Sequence, residues 1–209
     1  MTETDAGNRP DGADPPVRVC VFCGSNAGSS SDHAEAAAEL GRLLVEREVG
    51  LVYGGGRVGL MGVLADAVLA ADGEVTGVIP GHLVDREVAH AGLTRLEVTD
   101  SMHARKARMA ELSDGVIALP GGFGTFEEVL EILTWNQLGL LAVPVVFCDV
   151  GGFYAPLFEF LDRAVDAGFL RPTHRALAQR APDPASALDA ALTPVVGPGE
   201  HKWIDLDRT

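Results

Sequence analysis

The stretch Val116-Ile117-Ala118-Leu119-Pro120-Gly121-Gly122-Phe123-Gly124-Thr125-Phe126-Glu127-Glu128 decides the fold. Its first four residues are apolar and rich in branched side chains, too few for a helix and suited to a buried strand. Beyond Glu128, Val129, Leu130, Ile132 and Leu133 recur at helical spacing. Between the two, glycines at 121, 122 and 124 allow a sharp turn and a close approach of backbone to a ligand, while the amides and positive dipole end of the new helix attract an anion. That geometry suits a phosphate. The ending departs from a dinucleotide fingerprint, because Glu127 stands where G-x-G-x-x-G would place its third glycine, with Glu128 beside it. A carboxylate facing inward there would repel a pyrophosphate, so it either caps the helix or does chemistry. Thr125-Phe126-Glu127-Glu128 fits a capping box, Thr125 as N-cap and Glu128 reaching back from N3, and the two roles are not exclusive.

Working outward toward the N-terminus, the same alternation repeats. Val17–Phe22 reads as a strand, followed by a loop of small polar residues containing Ser25, and by a helix from about Asp32 to Glu48 with Leu40, Leu43 and Leu44 on one face. Leu51–Tyr53 is a second strand, closed by Gly54-Gly55-Gly56-Arg57-Val58-Gly59 and a helix through Leu60, Leu64 and Val68. This loop matches G-x-G-x-x-G literally. The next strand, Val75–Ile79, ends in Pro80-Gly81-His82 and lacks the acidic residue that would hold an adenosine ribose, so NAD is not expected. Asp85-Arg86-Glu87 reads as a solvated connection before a strand at Leu93–Val98. In the helix after Asp100, Met102, Arg105, Met109 and Leu112 share one stripe, so the Arg105 guanidinium needs an anion: an internal partner, a substrate or a catalytic carboxylate. Lys106 and Arg108, one step round, read as surface charges.

Toward the C-terminus the central helix runs to about Leu138, then come a strand at Val143–Cys148 and an amphipathic helix with Leu157, Phe160, Leu161 and Val165. Leu177–Arg180 adds a last strand and Pro184–Leu192 a last helix. Strands alternate with helices throughout, which predicts an α/β fold: a doubly wound, mainly parallel, Rossmann-like sheet forming a single domain over 17–195. The polar residues 1–16 are expected to be a disordered tail and 196–209 a C-terminal tail. Ligands of such sheets bind beyond the C-terminal strand ends at a topological switch point, so Ser25, Gly55 and the Gly121–Thr125 loop are expected to line one crevice.

Composition bounds the function. Of 209 residues 47% are hydrophobic and 22% charged, enough for one sizeable core, and the net charge of −14 argues against nucleic-acid or anionic-membrane surfaces. Any phosphate must be held locally. Without a signal layout or a long apolar run, the expectation is a cytoplasmic protein. Cys20, Cys23 and Cys148 are the only cysteines; Cys20 and Cys23 match C-x-x-C, but on a strand they point to opposite faces and no second pair is present for zinc, so they read as buried small apolar residues. No metal site and no cofactor are expected.

Taken together, Phe22-Cys23-Gly24-Ser25, Gly54-Gly55-Gly56 with Gly59-Leu60-Met61-Gly62, Met102-His103-Ala104-Arg105-Lys106 and Pro120 to Glu128 resemble the Lonely Guy family of cytokinin riboside 5'-monophosphate phosphoribohydrolases, over about Val17 to Leu170. The pairing of M-H-x-R-K with P-G-G-x-G-T-x-x-E is more specific than either glycine loop. The resemblance implies N-glycosidic hydrolysis of a nucleoside monophosphate, such as AMP or a cytokinin riboside monophosphate, to free base and ribose 5-phosphate. It implies Arg105 and Glu128 as the catalytic pair, with Glu87, Lys106, the segment Gly122, Phe123, Gly124, Thr125 and Glu127, and Thr134 as substrate contacts. It also implies a homodimer whose subunits both border the site. The chemistry suits the residues: cleaving a ribosyl C–N bond passes through an oxocarbenium-like state that a carboxylate can stabilise or supply with an activated water, while the Gly121 loop holds the 5'-phosphate. The alternative is a non-catalytic nucleotide or pterin-cofactor (molybdenum cofactor) carrier on the same scaffold, in which Glu128 would be dispensable.

Overall fold

A computed structural model describes residues 17–84 and 89–195 of the chain. The tails expected at 1–16 and 196–209, and the Asp85–Glu87 connection with its candidate contact Glu87, lie outside the described residues.

Among the described residues seven strands form one sheet: β1 (Arg18–Phe22), β2 (Gly50–Tyr53), β3 (Val75–Pro80), β4 (Arg95–Thr99), β5 (Gly115–Ala118), β6 (Val145–Cys148) and β7 (Ala178–Ala181). They alternate with α1 (Ser31–Glu46), α2 (Gly59–Ala70), α3 (Met102–Glu111), α4 (Phe123–Gln137), α5 (Ala155–Asp166), the single turn α6 (Pro172–Arg175) and α7 (Pro184–Ala191). The strand order is β4-β3-β2-β1-β5-β6-β7, and every strand pairing is parallel. Parallel strands need helical crossovers, and those helices cover both faces of the sheet. This is why β2, β3, β5 and β6 are buried along their whole length and read as continuous apolar runs rather than alternating ones.

Two apolar layers result. On one face Leu40, Leu44, Leu64, Val68 and Leu188 from α1, α2 and α7 pack on Val21, Leu51, Tyr53 and Ile117. On the other, Met109, Val129, Ile132 and Phe158 from α3, α4 and α5 pack on Cys20, Val52, Val116 and Phe147. Cys20 and Cys23 fall into opposite layers, as the two-residue period of a strand requires. All three cysteines are free and buried. Burial pushes their thiols up, Cys148 to about 12, so they serve as small core residues.

The chain builds outward from β1 to β4, then returns to place β5 against the other side of β1. The switch point therefore lies between β1 and β5. Leu119 N–H donates to Phe22 O (2.9 Å) and Gly24 N–H to Pro120 O (3.0 Å), so the loops leaving these strands stay side by side. One strand away, Leu60 N–H at the start of α2 donates to Gly24 O (3.0 Å).

Candidate active site

Beyond the ends of β1 and β5 opens a cleft of about 520 Å³, lined by Cys23–Ser29, His33, Leu60, Met61, Met102, Arg105, Pro120–Thr125, Glu127, Glu128 and Phe153. Its size is that of a small-molecule site.

The helix start at its centre differs from the capping box. α4 begins at Phe123 with Gly122 as N-cap and no side-chain cap bond, because Gly122 is extended (φ −103°, ψ −153°) and the chain enters the helix directly after the glycine pair. Thr125 is the third residue of the helix and Glu128 lies a turn further in, so neither holds the capping-box position. The amides of the first turn have no intrahelical acceptor by geometry and belong to residues that line the cleft. Thr125 is buried and packs on Gly121: a Cβ at Gly121 would lie 2.0 Å from Thr125 Oγ1. Only glycine lets the loop fold this tightly over the helix start.

Arg105 and Glu128 face each other from α3 and α4, buried to 5% and 9% exposure, with Arg105 NH1 3.7 Å from Glu128 Oε1. The rest of the guanidinium is tied to the sheet: Nε donates to Val78 O (3.1 Å), NH2 to Gly54 O (3.4 Å) and NH1 to Met102 Sδ (3.7 Å). The stripe reading asked for an anion near Arg105, and the structure supplies Glu128.

Lys106 corrects the surface reading. It is 3% exposed, and its ammonium is held by Glu127 and Glu131, the latter at 2.8 Å. Glu127 and Glu131 stand one turn apart on α4 and converge on the amine, which packing of α3 against α4 turns inward. Burial works against the ammonium, yet its hydrogen bonds to the two carboxylates hold the pKa above the ordinary lysine value. Arg108 stays partly exposed and binds Glu97 at 2.7 Å; that hydrogen bond lowers the Glu97 pKa.

The structure thus brings together Ser25, Arg105, Gly121, Gly122, Phe123, Gly124, Thr125, Glu127 and Glu128 in one cleft. Gly55, Lys106 and Thr134 are not among the lining residues. Gly55 follows β2, one strand from the switch point, and packs toward Ile79 and Leu96; the β2 loop reaches the cleft only through Leu60 and Met61 at the start of α2. Thr134 is exposed further along α4, its hydroxyl donating to Leu130 O (2.8 Å). Cleft residues not singled out from the sequence include Asn26, His33 and Phe153, with Tyr154 beneath: its hydroxyl donates to Leu119 O (2.7 Å) and its ring meets Phe126, Phe147 and Phe153 edge to face. Phe153-Tyr154 follows Gly151-Gly152 in the sequence, but no local spacing links it to the Gly121–Thr125 loop. Among the described residues no three His, Cys, Asp or Glu side chains are grouped to hold a metal, and no helix is long and apolar enough to cross a membrane.

A parallel sheet with a cleft at its switch point, where an uncapped helix start meets a buried arginine–glutamate pair, defines a Rossmann-like α/β protein. Residues 61–191 match the family described as "Possible lysine decarboxylase". The chain is 51% identical over 169 residues to a probable cytokinin riboside 5'-monophosphate phosphoribohydrolase of Oryza sativa subsp. japonica, covering 81% of this chain and 74% of that one. It is 48% identical to a cytokinin riboside 5'-monophosphate phosphoribohydrolase of Arabidopsis thaliana, covering 79% and 78%. Among solved structures, the molybdenum cofactor carrier protein of Chlamydomonas reinhardtii superposes with a TM-score of 0.64 at 25% identity, over 84% of this chain and 96% of that one. The chain belongs to the Lonely Guy family, that of the cytokinin riboside 5'-monophosphate phosphoribohydrolases.

Proposed function

We propose that this chain hydrolyses the N-glycosidic bond of nucleoside 5'-monophosphates, cytokinin riboside 5'-monophosphates and AMP among them, to free base and ribose 5-phosphate. The observation that carries the reading is the buried Arg105–Glu128 pair at the floor of the cleft, beside an uncapped helix start, in a chain half identical to relatives named for this reaction. The 5'-phosphate lies against the first turn of α4 and the Gly121–Thr125 loop, which places C1' toward Glu128. As the C–N bond breaks, the bonding pair leaves with the base. Glu128 stabilises the ribosyl cation and takes a proton from the water that attacks C1', and that proton passes on to the departing base, which leaves neutral and restores the carboxylate. Arg105 orients Glu128 and offsets its charge across the cleft floor.

Lys106 fits this reading better than Schiff-base chemistry. It is the only lysine among the described residues, and its ammonium is bound by two carboxylates, the opposite of the desolvated neutral amine that attacks a carbonyl. The reading includes a homodimer, in which the outer face of α4, with Phe123, Leu130 and Leu138 exposed and Thr134 between them, meets a second copy. It also includes a cytoplasmic setting, in keeping with three free thiols. A carrier role is favoured only by the shared fold at 25% identity. Incubation with AMP and with isopentenyladenosine monophosphate, with chromatography for free base, tests the proposal: base release from either supports it, and a protein that binds both without releasing base is a carrier.

A further inference from the structure

The glycine at position 54 stands apart from its neighbours in the β2 loop. A Cβ at Gly62 would strike the Arg57 carbonyl oxygen at 2.1 Å and one at Gly59 the Ser25 backbone at 2.3 Å, obstacles that belong to the fold itself. A Cβ at Gly54 would instead lie 2.2 Å from Arg105 NH2, with Cζ at 3.4 Å and Met61 Sδ at 3.5 Å, and it meets no backbone atom closer than these. The obstacle is the movable tip of one side chain. The same NH2 donates to the Gly54 carbonyl, and the guanidinium is otherwise held by Val78 O and Met102 Sδ. Arg105 thus sits in a socket whose wall is the missing side chain of residue 54, and NH1 at the open end faces Glu128.

We infer that Gly54 is a positioning residue for the reaction, acting through Arg105: its bare Cα sets how deeply the guanidinium seats and therefore how NH1 meets Glu128. This rests on the reading of Arg105 and Glu128 as the reacting pair. Restoring ordinary contact at a Cβ that would be 2.2 Å away requires the guanidinium to move by about 1 Å, and displacements of that size at a reacting centre cost on the order of a hundredfold in rate. Gly54 is not among the residues that line the cleft.

The test is Gly54→Ala, alone and combined with Arg105→Lys, assayed for base release from AMP with melting temperatures for all variants. Gly54→Ala is expected to lower kcat at least tenfold, to change KM less than twofold and to leave the melt within a few degrees of wild type. In the Arg105→Lys background, which removes the planar tip, the added loss from Gly54→Ala is expected to be less than twofold. A Gly54→Ala protein with wild-type kcat, or an undiminished further loss in the double variant, overturns the inference. So does a Gly54→Ala protein that fails to fold, since the glycine would then serve the scaffold. A wild-type protein that releases no base from either AMP or isopentenyladenosine monophosphate refutes the phosphoribohydrolase reading instead, which separates the two failures.

Discussion

The loops after β2 and β5 look alike in composition and context and are used in opposite ways. Each follows a buried strand, carries three or more glycines and opens a helix whose N-cap makes no side-chain bond. At the start of α2, however, the Leu60 amide is already satisfied by Gly24 O, and Gly55 is packed toward β3 and β4. The start of α4 lies at the switch point, where no described residue fills the space in front of it, and its first-turn residues line the cleft. A glycine-rich strand-to-helix turn is an anion site only where its amides are left unspent. The β2 loop spends its glycines on close packing, including the room it leaves for Arg105.

The largest effect is expected on α4. Glu128→Gln keeps shape and length but removes the charge, so turnover should fall by roughly a hundredfold or more while the melting temperature barely moves. Near-normal turnover in a folded Glu128→Gln protein would remove the carboxylate from the mechanism. Next comes Gly121→Ala. Its Cβ would press on Thr125 Oγ1 at 2.0 Å and Thr125 Cβ at 2.7 Å, distorting the loop proposed to hold the 5'-phosphate. Steady-state kinetics should show kcat/KM for AMP down by roughly tenfold or more, with a stability loss of about 1–3 kcal/mol from overpacking.

Gly55→Ala is the counterpart in the other loop. Gly55 has φ +78°, so alanine should cost about 1–2 kcal/mol in denaturant unfolding, while KM for AMP stays within twofold. A rise in KM at Gly55→Ala matching that at Gly121→Ala would erase the distinction between the loops.

The smallest effect concerns Lys106. Its folded pKa is raised, so its contribution to stability is complete below the unfolded value of about 10.4 and is lost as pH rises through the folded value. Thermal melts of wild type and Lys106→Gln should therefore differ by a constant amount near neutrality and converge only at strongly alkaline pH. A difference that already closes between pH 7 and 9 would mean that Glu127 and Glu131 do not hold the ammonium.

The neighbours Arg105 and Lys106 show what a motif can carry. M-H-x-R-K marked both as site residues, and helical spacing correctly set Arg105 inward, since Met102 and Met109 share its stripe. The same spacing turned Lys106 outward, which is wrong, because α4 lies across that side of α3 and offers two carboxylates one turn apart. Spacing along one helix says nothing about what packs against it. The capping box failed for a related reason: Thr125 and Glu128 have the right separation, but Gly122 starts the helix and takes the N-cap place.

By itself the sequence determined the order and kind of elements, because the periods of strands and helices and the glycine turns are written in residues only a few positions apart. It also carried the family, through motifs each contained within a single loop or turn. Tertiary structure alone decided that β5 lies beside β1 rather than beyond β4, and so which glycine loop opens on the cleft. It alone seated Arg105 against Gly54, 51 residues away, and buried Lys106 against Glu127, 21 residues away. Those contacts depend on how separate helices settle on a shared sheet, a choice made by summed packing across the core that no local spacing encodes.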